Sequence, residues 1–200
     1  MDAQVARAAA VVRAGGVLVY PTETVYGIGC DPADAAAVAR IRALKGRDAA
    51  KPMLAVTDAW HRVEGWIAGV TDAHGRLMAH EPPLALTLVF AAAEAAPPAL
   101  VSPEGTVALR RTPDPFCRAL VAAAGTAVLS TSANRAGLPP AHRFDDLDPT
   151  VRDAADLAVD AGRPLGGTPS TVARVAASGR LEVLREGAVD RATLERIAAG

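Results

Sequence analysis

The sequence predicts one α/β domain over residues 1–200, a twisted mixed β-sheet with helices packed on it. Two observations lead to this prediction. Short apolar runs rich in β-branched residues alternate with segments of helical periodicity, and some runs are joined by hairpin-like connections whereas others are joined by helices. A chain of 200 residues is also long enough for a substantial hydrophobic core.

The predicted strands are apolar runs bounded by proline, glycine or polar residues. The run 84–90, LALTLVF, is almost continuously apolar, as expected of a central strand. Gly27 and Gly29 are expected in an irregular loop after the first strand. The predicted strands are 17–20, 53–56, 84–90, 106–109, 127–129, 157–160, 172–175 and 181–184.

The predicted helices show apolar residues at helical spacing. Asp31-Pro32 offers a cap and a first-turn proline for the second helix, and Gly46 is expected to end it. A short helix is expected near 144–147, and the glycine-rich stretch 162–171 is predicted to be a loop. The main predicted helices are 3–14, 31–45, 59–68, 72–79, 113–124 and 191–199.

The composition limits the class of protein. The net charge of −1 argues against a general polyanion binder, so any affinity for nucleic acid requires a local patch. Cys30 and Cys117 have no metal or redox spacing and are expected to be free thiols. The chain shows neither a signal peptide nor an apolar stretch of membrane-spanning length, so the sequence predicts a cytoplasmic protein without a membrane partner.

The two lysines of the protein, Lys45 and Lys51, lie in one short window that also contains Arg47, whereas the other cations are all arginine. An ammonium is a compact charge that can follow a phosphate or carboxylate, so the window is interpreted as an anion site. The alternative is a solvated helix end, where cations interact favourably with the helix dipole.

Four predicted strands end in hydroxyl, amide or guanidinium side chains, and ligands of α/β sheets gather at strand ends. We therefore expect these ends to converge on one groove suited to phosphates and carboxylates. Taken alone, the hydroxyl run at 130–134 is equally compatible with simple turns and caps. The four ends are 20–22, 109–110, 129–134 and 169–171.

Several common chemistries lack their motifs in this sequence. There is no Gly-x-x-x-x-Gly-Lys loop and no Gly-x-Ser-x-Gly elbow. The four histidines have no metal-ligand spacing with the cysteines and are interpreted as surface or capping residues, so no metal site is predicted. We expect a reaction that uses activated phosphate, with Mg²⁺ arriving on the nucleotide. The histidines are His61, His74, His80 and His142.

Four motifs, in this order along the chain, resemble the YrdC-like family of L-threonylcarbamoyladenylate synthases. The resemblance extends from residue 15 to about residue 187 and indicates the short, single-domain form. The motifs are PTETVYGIG at 21–29, KGR at 45–47 with KP at 51–52, STSAN at 130–134 and PSTV at 169–172.

The resemblance implies that L-threonine, bicarbonate and ATP give threonylcarbamoyl-AMP and pyrophosphate. The product would pass to the transferase machinery that modifies position 37 of tRNA, with a weak tRNA contact as a further option. The resemblance also implies a concave, positively charged groove. It assigns threonine or bicarbonate contacts to Thr22, Arg110, Ser132 and Ser170. It assigns nucleotide contacts to Lys45, Arg47, Lys51, Thr106, Asn134 and Arg185, with Lys45 and Arg47 as catalytic residues.

Three segments depart from the family pattern: 82–85 before the central strand, the Arg110-Arg111 pair, and 48–50 after KGR. The sequence leaves open which of the two arginines is functional. Three alternatives to the synthase also remain. They are an RNA-binding module, a carbamoyl-adenylating domain like that of hydrogenase-maturation proteins, and a slow or non-catalytic paralogue that binds nucleotide.

Overall fold

A computed structural model describes residues 2–46 and 53–200. The ten strands in these ranges form one sheet in the order β10-β9-β5-β6-β3-β7-β2-β1-β8, and β4 pairs with β5 outside this path. The strands are β1 Leu18–Tyr20, β2 Gly27–Cys30, β3 Leu54–Thr57, β4 Ile67–Ala68, β5 Leu86–Ala92, β6 Thr106–Arg111, β7 Val128–Ser132, β8 Leu157–Ala158, β9 Thr171–Val175 and β10 Leu181–Arg185.

The predicted mixed sheet is confirmed. Strands β1 and β8, β3 and β6, and β5 and β9 pair in parallel. The other strand pairs in the described part of the chain are antiparallel. Short loops join antiparallel neighbours such as β9 and β10, whereas the parallel pairs are far apart in sequence because a parallel connection must cross over the sheet.

Each long helix has identifiable end signals. The Asp34 carboxylate accepts the backbone N–H of Ala37 at 2.9 Å, and Gly46 ends that helix with a left-handed φ of 56°. Asp114 caps the fourth helix, and Gly125 follows its last residue with a φ of 79°. The helices are α1 Asp2–Arg13, α2 Ala35–Lys45, α3 Asp72–Ala79, α4 Pro115–Ala124, α5 Pro149–Asp153 and α6 Arg191–Ala199.

The helices divide the core between the two faces of the sheet. Helices α2, α3 and α6 pack on one face, where Ile41, Leu77 and Leu194 are buried. Helices α1 and α4 pack on the opposite face, over β1, β3 and β7, and bury Val12 and Leu120 there. On β5, β6 and β9 this second face lines a groove. Because side chains alternate between the two faces along each strand, every second residue of these strands points into it.

The predicted helix at 59–68 is wrong. The segment forms two 3₁₀ turns, Trp60–Arg62 and Glu64–Trp66, followed by β4, which pairs with β5. The Trp60 indole N–H donates to the carbonyl of Met78 at 3.0 Å. Gly65 weakens a helix at this position, so the tertiary contacts outweigh the helical spacing of the apolar residues.

The predicted irregular loop at Gly27 and Gly29 is also wrong, since both belong to β2 and neither has a positive φ. They are needed for space. A Cβ at Gly29 would lie 2.3 Å from the carbonyl oxygen of Leu129 and 3.1 Å from the Tyr20 ring. Helix α2 likewise begins later than predicted, because Asp34 and not Asp31 caps it.

Both cysteines are buried free thiols, as predicted. Burial raises the pKa of Cys30 to about 12, and it raises the pKa of Cys117 well above the ordinary thiol value. Cys117 donates its S–H to the carbonyl of Pro21 at 3.1 Å. In the described ranges, no helix combines the length and apolar character needed to cross a bilayer.

His74 acts as a cap, as predicted for the histidines, but it is buried. Its Nδ1 accepts the backbone N–H of Thr71 at 3.1 Å, and its ring stacks on Phe90 with centroids 4.9 Å apart. Its Nε2 is buried without a hydrogen-bond partner. Desolvation therefore lowers the pKa of His74 below the usual value of 6.5.

We expect acid to destabilise the fold through His74. Its pKa is lower in the folded state than in the unfolded state, so the unfolded state binds more protons between the two values. The free energy of unfolding should therefore fall as the pH drops below about 6.5. Urea unfolding from pH 7.5 to 5 measures this, and His74→Gln should flatten the curve. The exposed His61→Gln is the control, and equal slopes in the two variants would contradict the prediction.

Candidate functional site

The groove has a volume of about 580 Å³, which is within the range of small-molecule sites. The strand ends that the sequence singled out converge on it, together with the loop 21–25. Its lining residues are Thr22, Thr24, Val25, Gly27, Met53, Leu54, Thr87, Val89, Ser102, Glu104, Thr106, Ala108, Arg110, Ser130, Thr131, Ser132, Pro140, Pro169, Ser170, Val172, Leu184 and Arg185.

The structure decides between the two adjacent arginines of β6. Arg110 is buried and lines the groove. Arg111 lies on the other face of the sheet, where it donates to the carbonyl of His80 at 2.6 Å and pairs with Glu81 at 2.7 Å. The period-two alternation of a strand requires this separation, so Arg110 is the guanidinium available to a ligand in the groove.

Arg110 is held from below by Glu23. Its Nη1 lies 3.2 Å from Glu23 Oε1 and 3.5 Å from the hydroxyl of Thr24. The second carboxylate oxygen of Glu23 accepts the hydroxyl of Thr112 at 2.8 Å. The Nε of Arg110 is buried without a hydrogen-bond partner. The guanidinium is thus anchored, and it keeps one enclosed N–H that no hydrogen bond satisfies.

Arg185 provides a second guanidinium at the same edge of the sheet, on β10, three strands away from Arg110 on β6. The residue as a whole is exposed, but its Nη2 donates to the carbonyl of Ser170 at 2.7 Å and lies 3.3 Å from the Ser170 hydroxyl. Burial of this group, and secondarily the nearby charge of Arg110, lowers the pKa of Arg185. Two cations that repel each other across a groove are stabilised by an anion between them.

Ser170 and Thr87 form a hydroxyl pair on the groove wall. Their oxygens are 2.9 Å apart, and both residues are buried. Ser170 is one of the predicted contacts, whereas Thr87 comes from the middle of an apolar run. β9 and β5 pair in parallel with Thr87 opposite Val172, which brings the two hydroxyls together.

Thr22 lines the groove, but its hydroxyl also folds the loop around it. Thr22 Oγ1 donates to the carbonyl of Val25 at 2.7 Å. It accepts the backbone N–H groups of Thr24 at 3.1 Å and Val25 at 3.2 Å. The hydroxyl proton is therefore committed within the loop, and contact with a substrate stays a prediction for this residue.

The floor of the groove contains a buried Tyr20–Ser130 pair. The Tyr20 hydroxyl donates to Ser130 Oγ at 2.8 Å, and burial raises the pKa of Tyr20, which keeps it a neutral donor. Ser132, two residues further along β7, also lines the groove and pairs with Gly27 of β2. Both serines therefore present hydroxyls on the same face of the sheet.

Lys45 is buried at the C-terminus of α2, and its ammonium lies beside the turn that follows β7. It donates to the carbonyl oxygens of Ser132 and of Asn134, the latter at 2.7 Å. The N–H of Ala136 donates in return to the carbonyl of Lys45 at 2.9 Å. The ammonium thus holds this turn against α2. Its predicted phosphate contact and catalytic role stay predictions.

Asn134 also shapes the turn. Its side-chain N–H groups donate to the carbonyl oxygens of Arg135 at 3.0 Å and Leu138 at 2.6 Å. Thr106, by contrast, lines the groove directly, with its hydroxyl 2.9 Å from that of Ser102. Arg47 and Lys51 lie outside the described residues, as does the departure at 48–50.

The described residues give part of the charge that lines the groove. Arg110 and Arg185 are its described lining cations, and Glu104 is a lining acid. The positive charge implied by the family resemblance therefore stays a prediction. In the described ranges, no group of three or more His, Cys, Asp or Glu side chains could hold a metal ion.

Several lining residues were not predicted from the sequence. Thr24 lies within the PTETVYGIG motif, whereas Thr87 lies in the middle of the apolar run 84–90. Ser102 begins a Ser-Pro-Glu-Gly turn and accepts the N–H groups of Glu104 and Thr106, both at 3.2 Å. Its turn chemistry is visible in the sequence, but its position beside the groove is not.

The site can bind anions and a flat apolar group together. Guanidinium and hydroxyl donors converge at one side, where they suit carboxylate and phosphate oxygens. Apolar strand side chains such as Leu54, Val89 and Val172 line the same groove. This combination suits a nucleotide together with a small anionic substrate.

A family model described as "Telomere recombination", that of the Sua5/YciO/YrdC family, matches residues 10–187. The chain belongs to this family. It is 38% identical over 176 residues to the threonylcarbamoyl-AMP synthase of Stenotrophomonas maltophilia, covering 87% of this chain and 94% of that protein. It is 39% identical over 171 residues to the enzyme of the same name from Chromohalobacter salexigens, covering 84% and 91% respectively. The resemblance inferred from the motifs is confirmed.

Solved structures of the family share the fold. P. abyssi Sua5 complexed with L-threonine superposes with a TM-score of 0.88 at 26% identity and covers 98% of this chain. This chain spans only 58% of that protein. E. coli YciO gives a TM-score of 0.81 at 27% identity, covering 95% of this chain and 92% of its own.

Proposed function

We propose that this protein is a threonylcarbamoyl-AMP synthase, which converts L-threonine, bicarbonate and ATP to threonylcarbamoyl-AMP and pyrophosphate. The observation that carries the proposal is the groove, in which the buried Arg110 faces strand-end hydroxyls and a second guanidinium, Arg185. The similarity to proteins of that name, over 87% of the chain, supports the same reaction.

In this reaction the amine of threonine attacks the carbon of bicarbonate, and water leaves to give a carbamate. A carbamate oxygen then attacks the α-phosphorus of ATP, and pyrophosphate departs. The protein contributes orientation and fixed positive charge, which act on the anionic transition state without reorganising. No covalent enzyme intermediate is required.

We assign Arg110 to the threonine carboxylate, with the hydroxyls of Ser132 and Ser170 beside it and Thr22 at the loop. We assign two further sets of residues to the nucleotide. Apolar strand residues contact the base, and polar and cationic side chains contact the ribose and the phosphates. The polar and cationic residues are Lys45, Thr106, Asn134 and Arg185, together with Arg47 and Lys51.

We propose that Mg²⁺ enters with ATP, where it would neutralise phosphate charge. We also propose that the product passes to the machinery that transfers the threonylcarbamoyl group to tRNA, and that the reaction takes place in the cytoplasm.

The test is pyrophosphate release from ATP, with threonine and bicarbonate omitted in turn and the adenylate product identified by mass. We expect release only when all three substrates are present. Serine in place of threonine is the matched substrate control. ATP binding without threonine-dependent pyrophosphate would overturn the proposal and favour a non-catalytic paralogue.

A further inference from the structure

The described residues give Arg110 one carboxylate partner, Glu23, which lies under the groove and does not line it. The two side chains are almost fully enclosed, with exposed fractions of 6% for Arg110 and 13% for Glu23. A guanidinium buried without a counter-charge is strongly destabilised. The ion pair therefore determines whether Arg110 can remain at the groove floor.

Glu23 is itself fixed by a chain of hydrogen bonds that begins at α4. The backbone N–H of Asp114 donates to Thr112 Oγ1 at 3.1 Å, which sets the direction of that hydroxyl. The hydroxyl then donates to Glu23 Oε2 at 2.8 Å. One carboxylate oxygen is thus held by the protein, and the other faces Arg110.

The glycine-rich loop 162–171 packs against the backbone at Glu23 and Thr24. A Cβ at Gly166 would lie 2.7 Å from the carbonyl oxygen of Glu23, so the loop approaches more closely than another residue would allow. The N–H of Gly167 donates to the carbonyl of Thr24 at 2.7 Å. Side chain and main chain of Glu23 are therefore both restrained.

The contact between the pair is electrostatic and leaves donors unused. Glu23 Oε1 lies 3.2 Å from Arg110 Nη1 but makes no aligned hydrogen bond, and Arg110 Nε has none either. A carboxylate that took both oxygens to Arg110 would saturate the fork that recognises an incoming carboxylate. Glu23 therefore offsets the charge of Arg110 without occupying the guanidinium in a bidentate pair.

We propose that Glu23 is a positioning residue that orients Arg110 for the carboxylate of the amino-acid substrate. The inference rests on the proposed function, because it takes threonine as that substrate. It predicts a selective effect: loss of Glu23 should weaken threonine binding, whereas ATP binding, which uses other residues, should not change.

The experiment is calorimetric titration of L-threonine and, separately, of ATP into the wild type and variants. Glu23→Gln keeps the size of the side chain and removes its charge. We expect its threonine dissociation constant to rise on the order of 10- to 100-fold, as for a displaced binding group. Thr112→Val, which leaves the pair intact but removes the supporting hydroxyl, should give a smaller rise.

A double-mutant cycle with Arg110→Gln shows whether Glu23 acts through Arg110. If it does, Glu23→Gln adds no further loss in the Arg110→Gln background. Glu182→Gln is the matched control, since Glu182 pairs with Arg174 and Arg180 on the β9–β10 hairpin, and it should bind threonine normally.

The inference would be overturned if the losses of threonine affinity in Glu23→Gln and Arg110→Gln multiplied in the double variant. It would also be overturned if Glu23→Gln and Thr112→Val both kept the threonine affinity of the wild type, or if both lost as much affinity for ATP as for threonine. The proposed function is tested separately by turnover. A wild type that binds threonine but releases no pyrophosphate overturns the function alone. A wild type that binds no threonine overturns the inference as well.

Discussion

Replacing Arg110 by glutamine is expected to lower threonine-dependent pyrophosphate release by roughly 100-fold or more, as when a group that positions a substrate is lost. Arg110 is the buried guanidinium of the groove, and its Nε has no other partner. The loss should be greater in kcat/KM for threonine than in that for ATP, because we assign the threonine carboxylate to this residue.

The neighbouring Arg111 offers a matched control for this prediction. It pairs with Glu81 on the opposite face of the sheet, and the Glu81 side chain is 64% exposed. The Arg111 side chain is 15% exposed and also donates to the carbonyl of His80, so its loss affects contacts that lie away from the groove. Arg111→Gln should therefore retain near-normal turnover. A larger loss in Arg111→Gln than in Arg110→Gln would contradict the assignment of the groove arginine.

The second large effect is expected from Lys45→Met. Its ammonium donates to the carbonyl oxygens of Ser132 and Asn134, and the methionine would leave both carbonyls without this donor. Loss of charged hydrogen bonds of this kind costs about 2–3 kcal/mol. Because Ser132 lines the groove, the displaced turn should also reduce turnover, on the order of 100-fold.

Urea unfolding and pyrophosphate release measure the two parts of this prediction. Arg40→Met is the control, because Arg40 lies on the same helix and pairs with Asp156 at the surface. It should leave both quantities nearly unchanged. A Lys45→Met protein with wild-type stability and reduced turnover would show that the ammonium acts on the ligand and does not hold the turn.

Much of the fold follows from local sequence signals. Helices α3 and α6 lie where the spacing of apolar residues predicts them, and Gly46 and Gly125 end their helices as expected. The prediction at 59–68 failed because periodicity cannot register a tertiary strand pairing such as that of β4 with β5.

The features of the candidate site also separate into those that follow from the sequence and those that depend on the tertiary structure. The sequence alone determined that cations, hydroxyls and an amide end the strands, and its motifs determined the family. Only the tertiary structure decided that Arg110 and not Arg111 faces the groove, and that Glu23, Thr87 and Ser102 belong to its surroundings. The physical reason is that strand order and register bring together residues that are far apart in sequence, and no local sequence pattern specifies which strands become neighbours.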